Sequence, residues 1–407
     1  MGSDVSPDAL ERSARLYPVY VFFQKASYWA PIFFLYFSRV LPLSDVLLLE
    51  AIYYISVVIL EVPTGYLSDR IGPRRVLIAS SVAQMAACSV FASSGIFPIL
   101  ACGQILLALG MALGSGSDTS YHYAVLKALD RDEEFGKREA RCARSLLLSQ
   151  AISALLGGAA AVFDLRLAYL LTLASSVVAA TIALRFAGIR PKGVERKSVA
   201  RWIRSCLQDA SHPRLAWLLG FSIFMTVINH IPYEFYQPFL KILIHQVQFS
   251  LATPAVTGMH TALAMGAAAV AAAYSIRIRD RLGSSPTLLL AGLVQTVIIA
   301  AMALAQSPAI AILIVFRSVP RGLMQAPLNA EVVPLVGEDR RATYLSIQSL
   351  LGRLAFGAVL FVFSQIFDGN EIEAPLGVSM VGAALVLLLL TIAVPLSQKS
   401  NHPPHVT

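Results

Sequence analysis

Long apolar segments, separated by polar turns, recur along nearly the whole chain. A membrane-spanning helix needs about 20 mainly apolar residues, and the sequence holds twelve stretches of this kind. They are 16–40, 45–68, 74–94, 97–123, 143–163, 165–187, 214–240, 254–276, 284–305, 308–334, 342–367 and 374–396. The pattern predicts an all-α integral membrane protein with twelve transmembrane helices.

Composition supports this prediction. Hydrophobic residues make up 57% of the chain and charged residues 14%, whereas soluble domains carry about 25% charged residues. The first apolar stretch is too long for the core of a signal peptide, so we interpret it as an uncleaved span. The four cysteines show neither a metal-ligand spacing nor a disulfide framework, and we expect no cofactor or metal.

The basic residues predict the orientation. If the N-terminus lies inside, 25 of the 32 lysines and arginines fall on the inner side, four lie within spans and three lie outside. The positive-inside rule then places both termini in the cytoplasm, in the cell inner membrane. The basic charge is thus a sign of topology, and we expect no nucleic-acid partner.

Domain boundaries follow from the long polar segment at 188–213. We predict an N-terminal six-helix bundle at 1–187, a cytoplasmic linker at 188–213, and a C-terminal bundle with a short tail at 214–407.

A charged loop with two glycines joins the second and third spans, and a weaker copy lies 211 residues later. That offset is about half the chain length, which indicates two duplicated bundles, a common design of secondary transporters. A charge cluster that forms in one conformation and breaks in another can set their balance. The predicted conformational-switch residues are Gly65, Asp69, Arg70, Gly72, Arg74 and Arg75, with Asp280 and Arg281 in the copy.

The first loop resembles the signature G-x-L-x-D-R-x-G-R-[KR] of the major facilitator superfamily. It matches at Gly65, Leu67, Asp69, Arg70, Gly72 and Arg74, and departs at Pro73. The resemblance implies two pseudo-symmetric six-helix bundles that work by alternating access. The segments 61–65 and 341–346 look like a bacterial branch of drug or metabolite exporters. The chain lacks the arginine motif in helix four and the proline of the helix-five motif that proton antiporters of the family often carry.

Charged residues inside spans are the candidate functional groups, because each needs a partner or a cavity. Lys25 and Glu61 lie at similar predicted depth, so we expect them to pair, either as a fixed structural pair or with a titrating or substrate-contacting role. Glu50 is a further buried acid. Asp118 and His122 are four residues apart on one helix face, and Asp118 could pair with Arg144 as an inner gate or as a structural pair at a helix end.

The C-terminal half carries a second set. His230 and Glu234 also lie four apart and could carry a proton or hold a cation; alternatively they belong to an aromatic belt at the outer surface. Three arginines also lie within spans: Arg317, Arg321 and Arg353. We interpret them as packing or gating residues rather than as substrate-selecting ones, with Glu331 as a candidate partner. Four aromatic residues could line a cavity or simply pack: Tyr28, Trp29, Tyr233 and Tyr236.

Two functions remain open. The leading hypothesis is export of a small organic molecule, a drug or metabolite, by proton antiport; the alternative is proton-coupled uptake, facilitated transport of a nutrient, or translocation of a lipid. An enzyme is not expected, because the sequence has no nucleophile elbow and no phosphate-binding loop. The expected partners are a small-molecule substrate, protons and membrane lipids, and we expect a monomer.

Overall fold

The computed structural model describes residues 6–115, 117–189, 212–246, 252–336, 341–367 and 371–398. Most of the predicted linker, 188–213, and the predicted C-terminal tail lie outside these ranges. Within them every regular element is helical.

Before the linker, the described residues form eight α-helices. They are α1 (Pro7–Gln24), α2 (Phe33–Phe37), α3 (Leu43–Ile71), α4 (Pro73–Ser93), α5 (Phe97–Gly114), α6 (Ser117–Ala128), α7 (Phe135–Ala161) and α8 (Leu165–Leu184). A 3-10 turn at Asp132–Glu134 precedes α7.

Seven more follow the linker. They are α9 (Pro213–Gln246), α10 (Thr253–Leu282), α11 (Ser284–Leu304), α12 (Pro308–Ile314), α13 (Val319–Leu335), α14 (Arg341–Ile366) and α15 (Glu373–Gln398). A 3-10 turn at Val315–Ser318 joins α12 to α13.

All twelve predicted spans coincide with helical segments. By length and composition, ten segments of the described chain can cross a membrane. The two predicted spans outside this set are the first, which is divided between α1 and α2, and the fifth, in α7, which begins with several charged residues. The all-α membrane fold predicted from the sequence is confirmed.

The chain divides into two compact units. The first comprises 1–195 together with 250–262, and the second comprises 196–249 and 263–407. The core of the first unit is built on buried aromatic residues, among them Tyr17, Tyr20 and Tyr121. The second unit buries the aromatic face of α9, including Phe221 and Phe239. The boundaries predicted above, at 187 and 214, stay predictions.

A repeated glycine turn relates the two parts of the chain. Gly72 joins α3 to α4 with φ +89°, and Gly283 joins α10 to α11 with φ +87°. These two glycines are 211 residues apart, the offset of the repeat seen in the sequence. A side chain strongly disfavours this backbone conformation, so each turn requires glycine.

Three of the predicted spans are interrupted helices. The first unwinds between α1 and α2, where Pro31 lacks the N–H that a continuous helix would use. The fourth breaks between α5 and α6 in a segment of glycine and serine, which are weak helix formers. The tenth passes through the 3-10 turn before Pro320.

Candidate functional site

The interrupted helices of the first unit bring together an ion pair. Lys25 is the C-cap residue of α1, and Asp118 lies in the first turn of α6. The Lys25 Nζ lies 3.3 Å from Asp118 Oδ2, and the two side chains are 36% and 18% exposed. We call this the helix-break ion pair. It is partly accessible, although both residues fall within predicted spans.

The helix ends favour the charges placed on them. A helix C-terminus attracts a cation and a helix N-terminus attracts an anion, each by about 0.3–1 kcal/mol. Lys25 and Asp118 have the matching signs. Asp118 Oδ1 also accepts a hydrogen bond from the backbone N–H of Thr119 at 2.8 Å. The local backbone thus stabilises both ionised groups.

This pairing differs from the predicted one. We expected Lys25 to pair with Glu61 and Asp118 to pair with Arg144, but Lys25 and Asp118 pair with each other. Glu61 Oε1 instead accepts a hydrogen bond from Ser115 Oγ at 3.1 Å, and Arg144 is exposed on α7. The prediction failed because it estimated depth along continuous helices, whereas α1 ends at Gln24 and α5 ends at Gly114.

A polar network, not anticipated from the sequence, adjoins the end of α1. The Gln24 amide donates to Gln84 Oε1 at 2.9 Å and to Ser80 Oγ at 3.3 Å, and its own oxygen accepts from Ser81 Oγ at 2.6 Å. The signal was available, since Ser80 and Gln84 lie one turn apart in an apolar span. The network anchors the last turn of α1 beside Lys25.

Glu50 is buried elsewhere in the first unit. Its side chain is 7% exposed, and Oε1 accepts a hydrogen bond from Gln104 Nε2 at 2.9 Å. The carboxyl group is thus held by a neutral amide partner.

The unwound segment carries two of the predicted cavity aromatics. The Tyr28 N–H donates to Thr172 Oγ1 at 3.1 Å, and the indole ring of Trp29 stacks parallel to Tyr169 at 6.3 Å. Trp29 therefore packs within the first unit. Both side chains are half-buried, and their predicted role in lining a cavity stays a prediction.

Glycine allows α7 to pass close to this segment. A Cβ atom on Gly157 would lie 2.0 Å from the carbonyl oxygen of Tyr28, which is backbone and cannot rotate away. Gly157 therefore has a packing role at the break in the first helix.

His122 lies one turn beyond Asp118 with different partners. Its Nδ1 is 2.6 Å from Glu139 Oε1, and its ring stacks on Tyr17 at a centroid distance of 4.2 Å. The two residues share a helix face as predicted, but they contact different side chains.

In the second unit, Arg317 occupies the 3-10 turn between α12 and α13. It is 3% exposed, and its guanidinium carbon lies 3.9 Å from the ring centroid of Tyr236. It also donates to the carbonyl oxygen of Ile314 at 3.3 Å. The Tyr233 and Tyr236 rings lie 6.3 Å apart. A buried cation over a tyrosine face is stabilised by the ring quadrupole.

The neighbouring turns of α9 carry the predicted acid and imidazole. His230 Nδ1–H donates to the Thr226 carbonyl at 2.6 Å, and the ring contacts Phe356 at a centroid distance of 4.8 Å. The Glu234 side chain is fully buried. Arg353 is half-buried on α14, while Arg321 is exposed on α13.

The expected partner of these arginines lies elsewhere. Glu331 pairs with Arg214 at 2.8 Å and accepts from Ser284 Oγ at 2.5 Å. Arg214 also donates to Ser285 Oγ at 2.9 Å. The proposed link from Glu331 to Arg317, Arg321 or Arg353 is therefore replaced by a cluster at the starts of α9 and α11, which sequence reasoning did not identify.

The predicted switch loop has few direct contacts among the described side chains. Arg74 donates to the Leu184 carbonyl at 2.6 Å, and Asp280 pairs with Arg279 at 2.7 Å. The side chain of Asp69 lies outside the described residues. Exposed members of the loop and its copy are Gly65, Arg70, Arg75 and Arg281. Gly65 is helical with open space around it, whereas Gly72 has the positive φ that requires glycine.

Comparisons with solved structures show the same architecture. The nucleoside transporter NupG superposes with a TM-score of 0.75 at 12% identity, covering 95% of this chain and 99% of that one. A peptide transporter POT variant gives 0.74 at 14% identity, covering 97% and 95%. A D-xylose-proton symporter gives 0.66 at 14% identity, covering 97% and 98%. At these identities the likeness shows the fold alone. No curated protein sequence matches the chain.

The family model decides the classification. It describes the Major Facilitator Superfamily and matches residues 20–360, a range that includes the helix-break ion pair, the glycine turns and the Arg317 turn. This chain belongs to the Major Facilitator Superfamily and is a multi-pass membrane transporter.

Proposed function

We propose that this transporter exports a small organic molecule in exchange for protons, and that the helix-break ion pair couples the two fluxes. The observation that carries the proposal is the placement of Lys25 and Asp118 at the ends of two interrupted helices. Discontinuous helices form the substrate and ion sites of many transporters.

The pair has the properties that coupling needs. Protonation of Asp118 removes the negative charge that holds Lys25, so the ends of α1 and α6 lose their mutual attraction. Partial exposure of both side chains gives protons and water a route to the pair. A difference in protonation between two conformations shifts their balance, which is the requirement for coupled transport.

Two further acids lie in the first unit. Glu61 contacts Ser115 at the same break in the fourth span, and Glu50 is buried against Gln104. We assign them to secondary proton positions, because a carboxyl group inside a span is costly and persists where it has a use.

In the second unit, we assign substrate contact to the aromatic surface around Arg317. Tyr233 is partly exposed and offers a ring face and a hydroxyl group, while the buried Tyr236 ring packs against the Arg317 guanidinium. His230, Glu234 and Arg353 lie on the adjoining helices, and Arg321 follows on α13. This set suits a small molecule with both an aromatic or apolar part and a polar group.

The proposal also covers the direction of transport and the orientation of the protein in the membrane. Export is supported by the resemblance of segments 61–65 and 341–346 to the exporter branch. The excess of basic residues on one side supports cytoplasmic termini in the inner membrane. We propose that the chain works as a monomer in contact with membrane lipids.

Uptake by proton symport is the second candidate. The D-xylose-proton symporter shares the fold over almost its entire length, and the missing helix-five proline separates this chain from typical drug antiporters. In that case the same ion pair would couple the inward flux.

The deciding experiment compares metabolites in cells and medium for a deletion strain complemented with the native protein, Asp118→Asn or Glu134→Gln. The control Glu134 forms an exposed ion pair with Arg138, away from the proposed coupling element. Export predicts a compound retained in deletion and Asp118→Asn cells and released by the native and control strains. A compound left unused in the medium of the deletion strain would establish uptake.

The coupling claim has its own readout. Once the compound is known, inside-out vesicles with an imposed pH gradient should accumulate it through the native protein. The Asp118→Asn variant should not accumulate the compound. Gradient-driven accumulation by this variant at the native rate would refute the role of Asp118.

A further inference from the structure

A second cluster of chemically active side chains lies at the junction of α6 and α7, apart from the residues assigned to transport above. A ring nitrogen of His122, a carboxylate oxygen of Glu139 and the sulfur of Cys142 all lie within 4.8 Å of one another. Glu139 and Cys142 are three residues apart and so share a face of α7, opposite His122 on α6.

We propose that His122, Glu139 and Cys142 form a binding site for a borderline divalent transition metal, of which Zn²⁺ is the best match. One imidazole nitrogen, one thiolate and one carboxylate oxygen are the ligand types that zinc takes. A mixed N/S/O set excludes Mg²⁺ and Ca²⁺, which need oxygen ligands throughout.

The distances suit closure around an ion. Ligand atoms of a tetrahedral zinc lie about 3.3–3.7 Å apart, given the usual bond lengths. The His122–Glu139 contact of 2.6 Å must widen, and the longest separation, up to 4.8 Å, must shorten by about 1 Å. Glu139 is the most exposed of the three at 31%, so its side chain can rotate to widen the short contact with His122.

The three ligand side chains differ in how deeply they are buried. His122 and Cys142 are 1% and 4% exposed, so two ligands are fixed by packing. The exposed Glu139 leaves an entry path and room for water as the fourth ligand, as in zinc sites with three protein ligands. Arg138, a basic side chain of α7 that interacts electrostatically with His122, is paired with Glu134, which lowers the repulsion that an entering cation meets.

The His122 ring is held in place to bind a metal through Nδ1, the nitrogen that faces Glu139. Stacking on Tyr17 fixes the plane of the His122 ring, and Nε2 makes no hydrogen bond within the described part of the chain. The ring is thus held by one polar contact, to Glu139, and by stacking. If a metal replaces the proton between His122 and Glu139, the stacking on Tyr17 is kept and the direct hydrogen bond gives way to one bond from each residue to the ion.

Cobalt substitution in the purified full-length protein, under reducing conditions, tests the site. We expect one equivalent of Co²⁺ to produce a thiolate-to-cobalt charge-transfer band that added Zn²⁺ removes. Cys142→Ser should abolish the band, and Cys102→Ser, which changes an exposed cysteine elsewhere, should keep it. A native protein without the band, or a band that survives Cys142→Ser, would overturn the proposal.

A second variant keeps the test decisive if Cys142→Ser does not fold. Glu139→Gln alters a partly exposed side chain, and we expect it to weaken Zn²⁺ binding, measured by competition with a chromophoric chelator, at least tenfold, because even outer-shell partners cost about 10–100-fold. The matched control Glu133→Gln removes an exposed acid from the 3-10 turn that precedes α7 and should leave the affinity unchanged. Equal affinities for the two variants would contradict the site. Because both readouts measure binding, their outcome is independent of the proposed export.

Discussion

Gly157 illustrates how much one residue controls in this transporter. The unwound segment after α1 is held partly by the Tyr28 N–H bond to Thr172 and partly by the close approach of α7. The absence of a side chain at Gly157 is what permits that approach. A segment without regular helical bonds depends on such outside contacts to keep its shape.

We therefore expect Gly157→Ala to destabilise the protein strongly. The new methyl group would meet a backbone oxygen, and overpacking of this kind costs about 1–3 kcal/mol or more. Thermal unfolding followed by size-exclusion chromatography in detergent measures the effect. Gly220→Ala is the matched control, because a Cβ there has nothing within 4 Å; its melting temperature should be unchanged or slightly higher. Equal behaviour of the two variants would contradict the packing.

The helix-break ion pair permits a test at the same scale. Lys25→Met or Asp118→Asn alone leaves one charge without its partner, and we expect each to cost about 1–2 kcal/mol, less than a fully buried pair because both groups are partly exposed. The double variant should recover most of this loss. Additive losses in the double variant, measured by thermal unfolding, would show that the two charges do not interact.

Single residues were predicted unevenly from sequence. Lys25 and Asp118 were recognised as functional candidates because charged residues in spans stand out. Their pairing was missed, because it depends on where two helices break, and depth counted along a continuous helix cannot supply that. Glu331 shows the same limit, since its partner Arg214 lies at the start of a helix 117 residues away in sequence.

At the scale of elements, the two glycine turns have the same structural role, each joining two long helices. Gly72 and Gly283 have nearly the same positive φ and each ends a long helix and begins the next. Their equivalence comes from a repeat that was visible in the sequence only as a weak echo. The conformation is open to glycine and strained for other residues, at about 1–3 kcal/mol.

Gly72→Ala and Gly283→Ala should therefore lower thermal stability by similar amounts. Gly65→Ala, seven residues before Gly72, is the control: Gly65 is helical with free space around it, and alanine there should be neutral or stabilising. Melting temperatures of the three variants in one detergent make the comparison. A loss at Gly65 as large as that at Gly72 would refute the role given to the positive φ.

Helices as such were well predicted, and their interruptions were not. Hydrophobic length located all twelve helical spans, since lipid imposes that length directly. The breaks depend on competition between backbone hydrogen bonding and local sequence. The signals were present in Pro31, in the serines and glycines near Ser115, and in Pro320. A criterion based on the length of apolar segments does not detect such signals, because it does not ask whether the helix is continuous.

At the scale of the whole molecule, orientation follows from charge. We expect a C-terminal green fluorescent protein fusion to fluoresce and a C-terminal alkaline phosphatase fusion to be inactive, since both termini are proposed to be cytoplasmic. Alkaline phosphatase fused at Gly95, in the turn between α4 and α5, should be active. Phosphatase activity at the C-terminus would show that the topology is the reverse of the proposed one, and the proposed direction of transport would then be reversed too.

The family was predicted from one loop motif, whereas substrate and direction depend on side-chain details that no periodicity encodes.

The last helix, α15, is covered by few of its neighbours: only 6% of its span is buried. At 26 residues it is about 39 Å long, and the hydrocarbon layer is about 30 Å thick. Lipid chains therefore cover most of its apolar surface. The same surface must be covered by detergent when the protein is purified. Detergents with short alkyl chains will leave part of α15 poorly covered, and we expect the choice of detergent chain length to govern how long the purified transporter stays intact.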